Sequence, residues 1–206
     1  MKHLRQYIRQ ILLTEGAFTP EDLPDNLGIR IRDDGELFDV AIMEKTKGYT
    51  TDGSGWRMSS QYSSVGGEIQ AYKISNPKSG HCLDAYMVSL SSASNGWGPL
   101  LYDIAIEFAT QKGSGLIADR ESVSLDAQRV WNHYYSNRGD VDNIQLDNEK
   151  DSFDNGPEDD CDQGIARSTI TGMYDTWEDS ALSKIYKKSP ASTIEKLRSL
   201  GKLIEP

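Results

Sequence analysis

The chain has 206 residues and a formal net charge of −10, from 22 Lys and Arg against 32 Asp and Glu, with 37% apolar and 26% charged residues. That balance describes a globular domain with a sizeable core. It argues against a general nucleic-acid binder or a protein drawn to anionic membranes, because both need clustered basic residues.

No run reaches the roughly 20 apolar residues of a membrane-spanning helix. The N-terminal "MKHLRQYIRQILLTEGA" is too interrupted by charge for a secretory leader. Cys82 and Cys161 do not suggest a disulfide framework, so a reducing cytosol is the expected compartment. His3, His81 and His133 are scattered, and no spacing points to zinc.

In chain order, Leu4, Tyr7, Ile8, Ile11 and Leu12 recur at helical spacing, predicting an amphipathic helix over residues 2–13 that Gly16 stops. "GIRIR", the turn "DDGE" and "LFDVAIM" predict a β-hairpin over Gly28–Met43. Residues 44–67 are rich in Gly, Ser, Thr and Tyr and read as a long loop, with room for an irregular strand around Trp56. "GEIQAYKIS" and "CLDAYMVSLS" are strands divided by the turn "NPKSG". A helix is expected from about Pro99 to Lys112, with Leu100, Leu101, Ile104, Ala105 and Phe108 on its apolar face and Asp103, Glu107 and Lys112 off it. "GLIAD" reads as a buried strand, and "SLDAQRVWNHYYSNR" as a second helix capped by Ser124. An acidic loop spans about 140–163, and "STIEKLRSLGKLI" is a short helix with a glycine stop. Tested as a calcium loop, with Gly156 sixth, the acidic stretch puts Phe153 where an oxygen ligand belongs and Glu158 where an apolar residue belongs, so it fails.

The stretch "SLSSASNGWGPLLYDIAIEF" puts two glycines at the entrance of the first of these helices. A helix N-terminus offers unpaired N–H groups and a partial positive charge, and glycine lets a bulky anion approach them. Strand, Gly-x-Gly and helix therefore form a diphosphate cradle in physical terms. Leu101 stands where a dinucleotide-binding fingerprint needs its third glycine, and no Gly-Lys-Ser/Thr follows as in a P-loop.

Residues 68–139 resemble the core of the GNAT superfamily of N-acetyltransferases. There a long strand delivers a Gln/Arg-x-x-Gly-x-Gly/Ala loop whose amides hold the acetyl-CoA diphosphate. A helix, a strand and a second helix follow, the last with its early part beside the pantetheine arm. Gly96 and Gly98 match the two glycines, and Ala127 matches the small position of the second helix. The resemblance implies an α/β (α+β) fold: a central mixed, mostly antiparallel sheet flanked by helices. It implies acetyl-CoA as cosubstrate, without a metal, held by Asn95, Gly96, Trp97, Gly98, Leu100 and Leu101. It also implies transfer of an acetyl group to an amine. Three positions depart from the pattern. Ala93 stands at the Gln/Arg position, Pro99 lacks an N–H, and Trp131 replaces the tyrosine that protonates the leaving thiolate. Tyr135, one turn further on, or the adjacent Tyr134 is the candidate acid. Glu68, Asp84 and His81 flank the expected cleft as candidate bases.

Leu13-Thr14-Glu15-Gly16 resembles the site at which bacteriophage prohead proteases cut head-packaged proteins, placed directly after an amphipathic helix. Residues 1–16 are therefore expected to be a targeting peptide cleaved between Glu15 and Gly16, and 17–206 a single acetyltransferase-like domain. The expected protein is phage-encoded, located in host cytoplasm or virion, with an amine acceptor, a host protein or capsid proteins as partners. The alternative is a catalytically degenerate virion protein that keeps the same fold. A weaker reading is a module that blocks a host protein through the acidic segment.

Overall fold

A computed structural model describes residues 17–51, 56–74, 82–94, 96–119, 123–146 and 179–204. The predicted helix over 2–13, the Glu15–Gly16 bond, Asn95 and His81 lie outside them, as does most of the acidic loop. The strands are β1 (Leu27–Asp33), β2 (Leu37–Thr51), β3 (Trp56–Lys73), β4 (Tyr86–Ala93), β5 (Leu116–Ile117), β6 (Asp142–Gln145), β7 (Lys184–Lys187) and β8 (Leu203–Ile204). The helices are α1 (Gly98–Lys112), α2 (Leu125–Asn137) and α3 (Ser192–Ser199), with 3-10 turns at Pro20–Asp22 and Ala181–Ser183. One mixed sheet runs β6-β7-β5-β4-β3-β2-β1-β8. Its pairings are antiparallel except β4–β5 and β1–β8. The expected α/β class, with a mostly antiparallel central sheet and helices against it, is the observed one.

The alternation in "GIRIR" is explained by the sheet's two faces. Ile29 enters the main core with Phe38, Val40, Ile42, Ile69 and, from α1, Leu101, Ile104 and Phe108. Arg30 and Arg32 instead reach Asp39 on the neighbouring strand, at 2.8 and 2.6 Å. Asp39 is 1% exposed, so its charge is held by two guanidinium groups rather than by water. Phe38 fastens sheet to helix, with its ring 4.9 Å from Phe108 and 5.0 Å from Tyr86.

Three expectations are corrected. Residues 44–51 and 56–67 are strand rather than part of a long loop, because the β2–β3 ladder continues to Thr51↔Trp56. Thr, Tyr and Trp favour extended backbone, and cross-strand pairing overrides the turn-like composition. β1 ends opposite Glu44 and β4 opposite Gly67, so the far part of this ladder is two-stranded among the described residues. Glu107 does not lie on a polar face but is 0% exposed. Cys82 is disulfide-bonded, against the expectation of no disulfide framework. Strands β6, β7 and β8 carry no strong signal of their own, being two to four residues long. They pair with edges that already exist.

Glu107 explains how α3 starts. The N-cap position is Ala191, which has no capping side chain. The Glu107 carboxylate accepts the Thr193 and Ile194 amides at 2.8 Å each, supplying the cap from α1. Lys188 balances the charge, with Nζ 2.9 Å from Glu107 Oε1 and donating to Thr193 Oγ1 at 2.9 Å.

Gly113 ends α1 where the chain passes β4's approach. A Cβ there would stand 2.0 Å from the Asp84 carbonyl oxygen. Gly113→Ala is therefore expected to destabilise the fold by about 1–3 kcal/mol through overpacking, read as a lowered urea midpoint.

Candidate functional site

β4 and β5 pair only at Tyr86↔Leu116 and Met87↔Ile117, where β5 ends. β4 continues to Ala93. From Val88 onward its β5-side edge has no ladder partner among the described residues, so the two strands part and leave backbone groups open to the gap. Past β4 the chain turns through Gly96, at φ +88, and enters α1. Two hydrogen bonds pin this turn: Ser94 N–H donates to Gly66 O at 2.7 Å, and Phe18 N–H donates to Gly96 O at 3.0 Å.

A cavity of about 450 Å³ lies beside the end of β4. Ser91, Ser92 and Ala93 of β4 form one wall. Gly96, Gly98, Pro99, Leu101 and Tyr102 bring the start of α1, and Ser124, Asp126, Ala127, Arg129 and Val130 the start of α2. Two helix N-termini thus open on one space, and each contributes partial positive charge. The two ionised side chains of the lining, Arg129 and Asp126, pair at 2.6 Å and are 67% and 89% exposed. They cancel at the rim, so the field inside comes from the helix ends.

The donors can be counted. Trp97 N–H is spent on Ser94 O at 3.1 Å, and the first helical bond runs from Leu101 N–H to Trp97 O at 3.1 Å. Pro99 has no N–H. Trp97 offers no side-chain cap. The amides of Gly98 and Leu100 precede the first helical bond and have no acceptor among the described residues. At α2 the Ser124 side chain already accepts Ala127 N–H at 3.2 Å.

Of the residues expected at the coenzyme, Gly96, Gly98 and Leu101 line the cavity, and so does Ala127. Leu100 turns its side chain into the core. The Trp97 ring stacks on Phe18, centroids 4.3 Å apart, and does not wall off the doorway. A Cβ at Gly98 would touch only the Ala93 Cβ, at 3.8 Å, and would otherwise enter open space. Packing within the chain therefore does not demand glycine there.

The two tyrosines expected as acids are elsewhere. Tyr134 is 0% exposed, and its hydroxyl donates to Asp103 Oδ1 at 2.7 Å, with Pro99 O at 3.0 Å. Burial, and then the Asp103 charge, push it well above the ordinary tyrosine range. Tyr135 is half-buried with Lys184 Nζ 5.2 Å from its ring centroid, and neither tyrosine is in the lining. Trp131 is a core residue between Tyr102 and Tyr186. Tyr102, which the sequence did not mark, does line the cavity and donates to Ser91 Oγ at 3.2 Å. Burial raises its pKa, against that hydrogen bond, so it stays protonated at neutral pH. Its signal was only its place one turn into α1. Among the candidate bases, Glu68 sits opposite Ser92 in the ladder. Asp84 pairs with Lys73 at 2.8 Å, away from the cavity.

Behind the cavity, Arg138 joins α2 to α1. It lies 2.9 Å from Asp103 and makes a two-pronged contact to Asp140, 2.7 Å on each oxygen. The Arg138 hydrogen bonds hold the Asp140 carboxyl down, from 3.8 to about 2. This stabilisation is complete above pH ~4 and is lost as pH falls toward 2. Asp140→Asn is expected to flatten that limb in urea midpoints measured against pH.

Among the described residues, no group of three or more His, Cys, Asp and Glu is placed to hold a metal, and no helix is long and apolar enough to cross a membrane. No known family matches the chain, and no curated protein or solved structure matches it either.

Proposed function

We propose that this protein binds acetyl-CoA in the cavity beside the end of β4 and transfers its acetyl group to an amine. The observation that carries the reading is the convergence of two helix N-termini on a cavity beside an unpaired strand edge. The Gly98 and Leu100 amides would take the diphosphate, and Gly98 leaves the space for it. The open edge of β4 from Val88 to Ala93 offers peptide groups to an amide-bearing arm, and Ala127 keeps the facing wall low. The order strand, Gly-x-Gly, helix, strand, helix supports the resemblance to the GNAT N-acetyltransferases.

Bound acetyl-CoA supplies an activated thioester. The acceptor nitrogen bonds to the acetyl carbon as the carbon–sulfur bond breaks, the nitrogen loses a proton to solvent or a base, and the departing sulfur gains one. Tyr102 is the protonated hydroxyl in the cavity, and in this reading it takes the acid role expected of Tyr135 or Tyr134. Calorimetry with acetyl-CoA tests the proposal. Saturable heat with thermal protection supports it, while neither at about millimolar ligand overturns it.

One observation favours the alternative of a binding protein without turnover, the virion form of this fold included. Tyr134 is locked to Asp103 and Trp131 fills the core, so α2 delivers no acid to the cavity. Binding without release of free thiol, across a panel of primary amines, is the outcome that selects it.

A further inference from the structure

A second cavity, of about 640 Å³, lies at the opposite edge of the sheet. It exists because β8 is short. β8 pairs with β1 only at Ile29↔Leu203 and Arg30↔Ile204, and β1 continues to Asp33. The space past that pairing is walled by the last turn of α1 and by α3, and its volume is within the roughly 300–1,000 Å³ of small-molecule sites. Its apolar surface is Ile31, Phe108, Ile194, Leu203 and Ile204. Its charged lining is Arg30, Arg32, Lys112 and Arg198 against Asp33, in a chain whose net charge is −10.

Each cation has a partner already, and the partners differ in strength. Arg30 and Arg32 hold the buried Asp39 and are not available. Lys112 lies 3.1 Å from Asp33, and Arg198 lies 2.6 Å from Glu195. Both basic side chains are about half exposed, at 51% and 50%. Ion pairs made by cations this exposed are weak, so an incoming anion can compete for both. Lys112 Nζ is also 5.6 Å from the Phe108 ring centroid, which places the charge directly beside the apolar wall.

We infer that this cavity is a binding site for a small amphipathic acid, its hydrocarbon body against Phe108, Ile194, Leu203 and Ile204 and its carboxylate between Lys112 and Arg198. The inference is independent of the acetyl-CoA reading. It is tested on the full chain by calorimetry with decanoate, decylammonium and decanol as probes. Decanoate is expected to bind at least about tenfold more tightly than either of the others, with affinity falling as salt rises. Lys112→Gln with Arg198→Gln, which removes charge without adding repulsion, should abolish that preference, and Lys112→Glu with Arg198→Glu should turn it toward decylammonium. Leu203→Lys, on a half-buried β8 position, should weaken all three probes. Equal binding of the three would show apolar adhesion only, and no decanoate heat at about 1 mM would leave the cavity without this ligand. Either result overturns the inference, as does an unchanged preference in the Gln double variant.

Discussion

Replacing Glu107 with alanine should lower stability by about 3–5 kcal/mol, because it takes from the buried Lys188 charge its nearest carboxylate. Lys188 is 5% exposed and its other carboxylates are further away, Asp103 at 3.5 Å and Asp140 at 3.7 Å. The same change strips the only cap from α3, whose Thr193 and Ile194 amides would then face the core unpaired. For a chain of this size the loss corresponds to a fall in Tm of roughly 6–20 °C. Removing both partners, as Glu107→Ala with Lys188→Met, should cost less than the sum of the single changes, since no lone charge remains. Calorimetric melting of the three variants checks this. A drop under about 1 kcal/mol for Glu107→Ala would mean that the α3 cap is carried elsewhere.

Gly98→Ala separates the ligand from the fold. Its Cβ meets nothing in the chain closer than 3.8 Å, and Gly98 does not have a positive φ. Losing a glycine's freedom in the unfolded chain should leave stability unchanged or raise it by about 0.4–1 kcal/mol. The same methyl group enters the cavity beside the two free amides, so acetyl-CoA affinity should fall at least tenfold, about 1.4 kcal/mol, and Gly98→Val should remove binding altogether. Thermal melting and calorimetry on the same samples give both numbers. Full affinity in Gly98→Val would show that the coenzyme, if bound, is not held at this doorway. Tyr102→Phe then addresses the acid: binding should persist while turnover falls, and Tyr134→Phe should lose stability without changing binding.

Most of the sheet was legible in the residues. The hairpin from Gly28 to Met43, the strands at Gly67 and Tyr86, and the helices beginning near Pro99 and after Ser124 all carry local period, turn or cap signals. The doorway was legible for the same reason. Glycine and proline act through backbone rules that need no neighbours, and Gly96, Gly98 and Leu101 line one cavity. The tyrosines were not. Tyr134, Tyr135 and Tyr102 look alike in a sequence, and only the packing of α1 against α2 decides which side chain lines the cavity and which is closed onto Asp103.

Hydrophobic period, turn residues and the placement of glycine and proline determined, without any structure, the first hairpin, the strand before Gly96 and the helix that begins at Gly98, because those properties act over a few residues. Tertiary structure decided the rest. It turned a polar-looking glutamate into a cap for a helix 85 residues away, extended an apparent loop into a strand pair, and parted β4 from β5. Each of these depends on a partner distant in the chain, and local sequence holds no record of who that partner is.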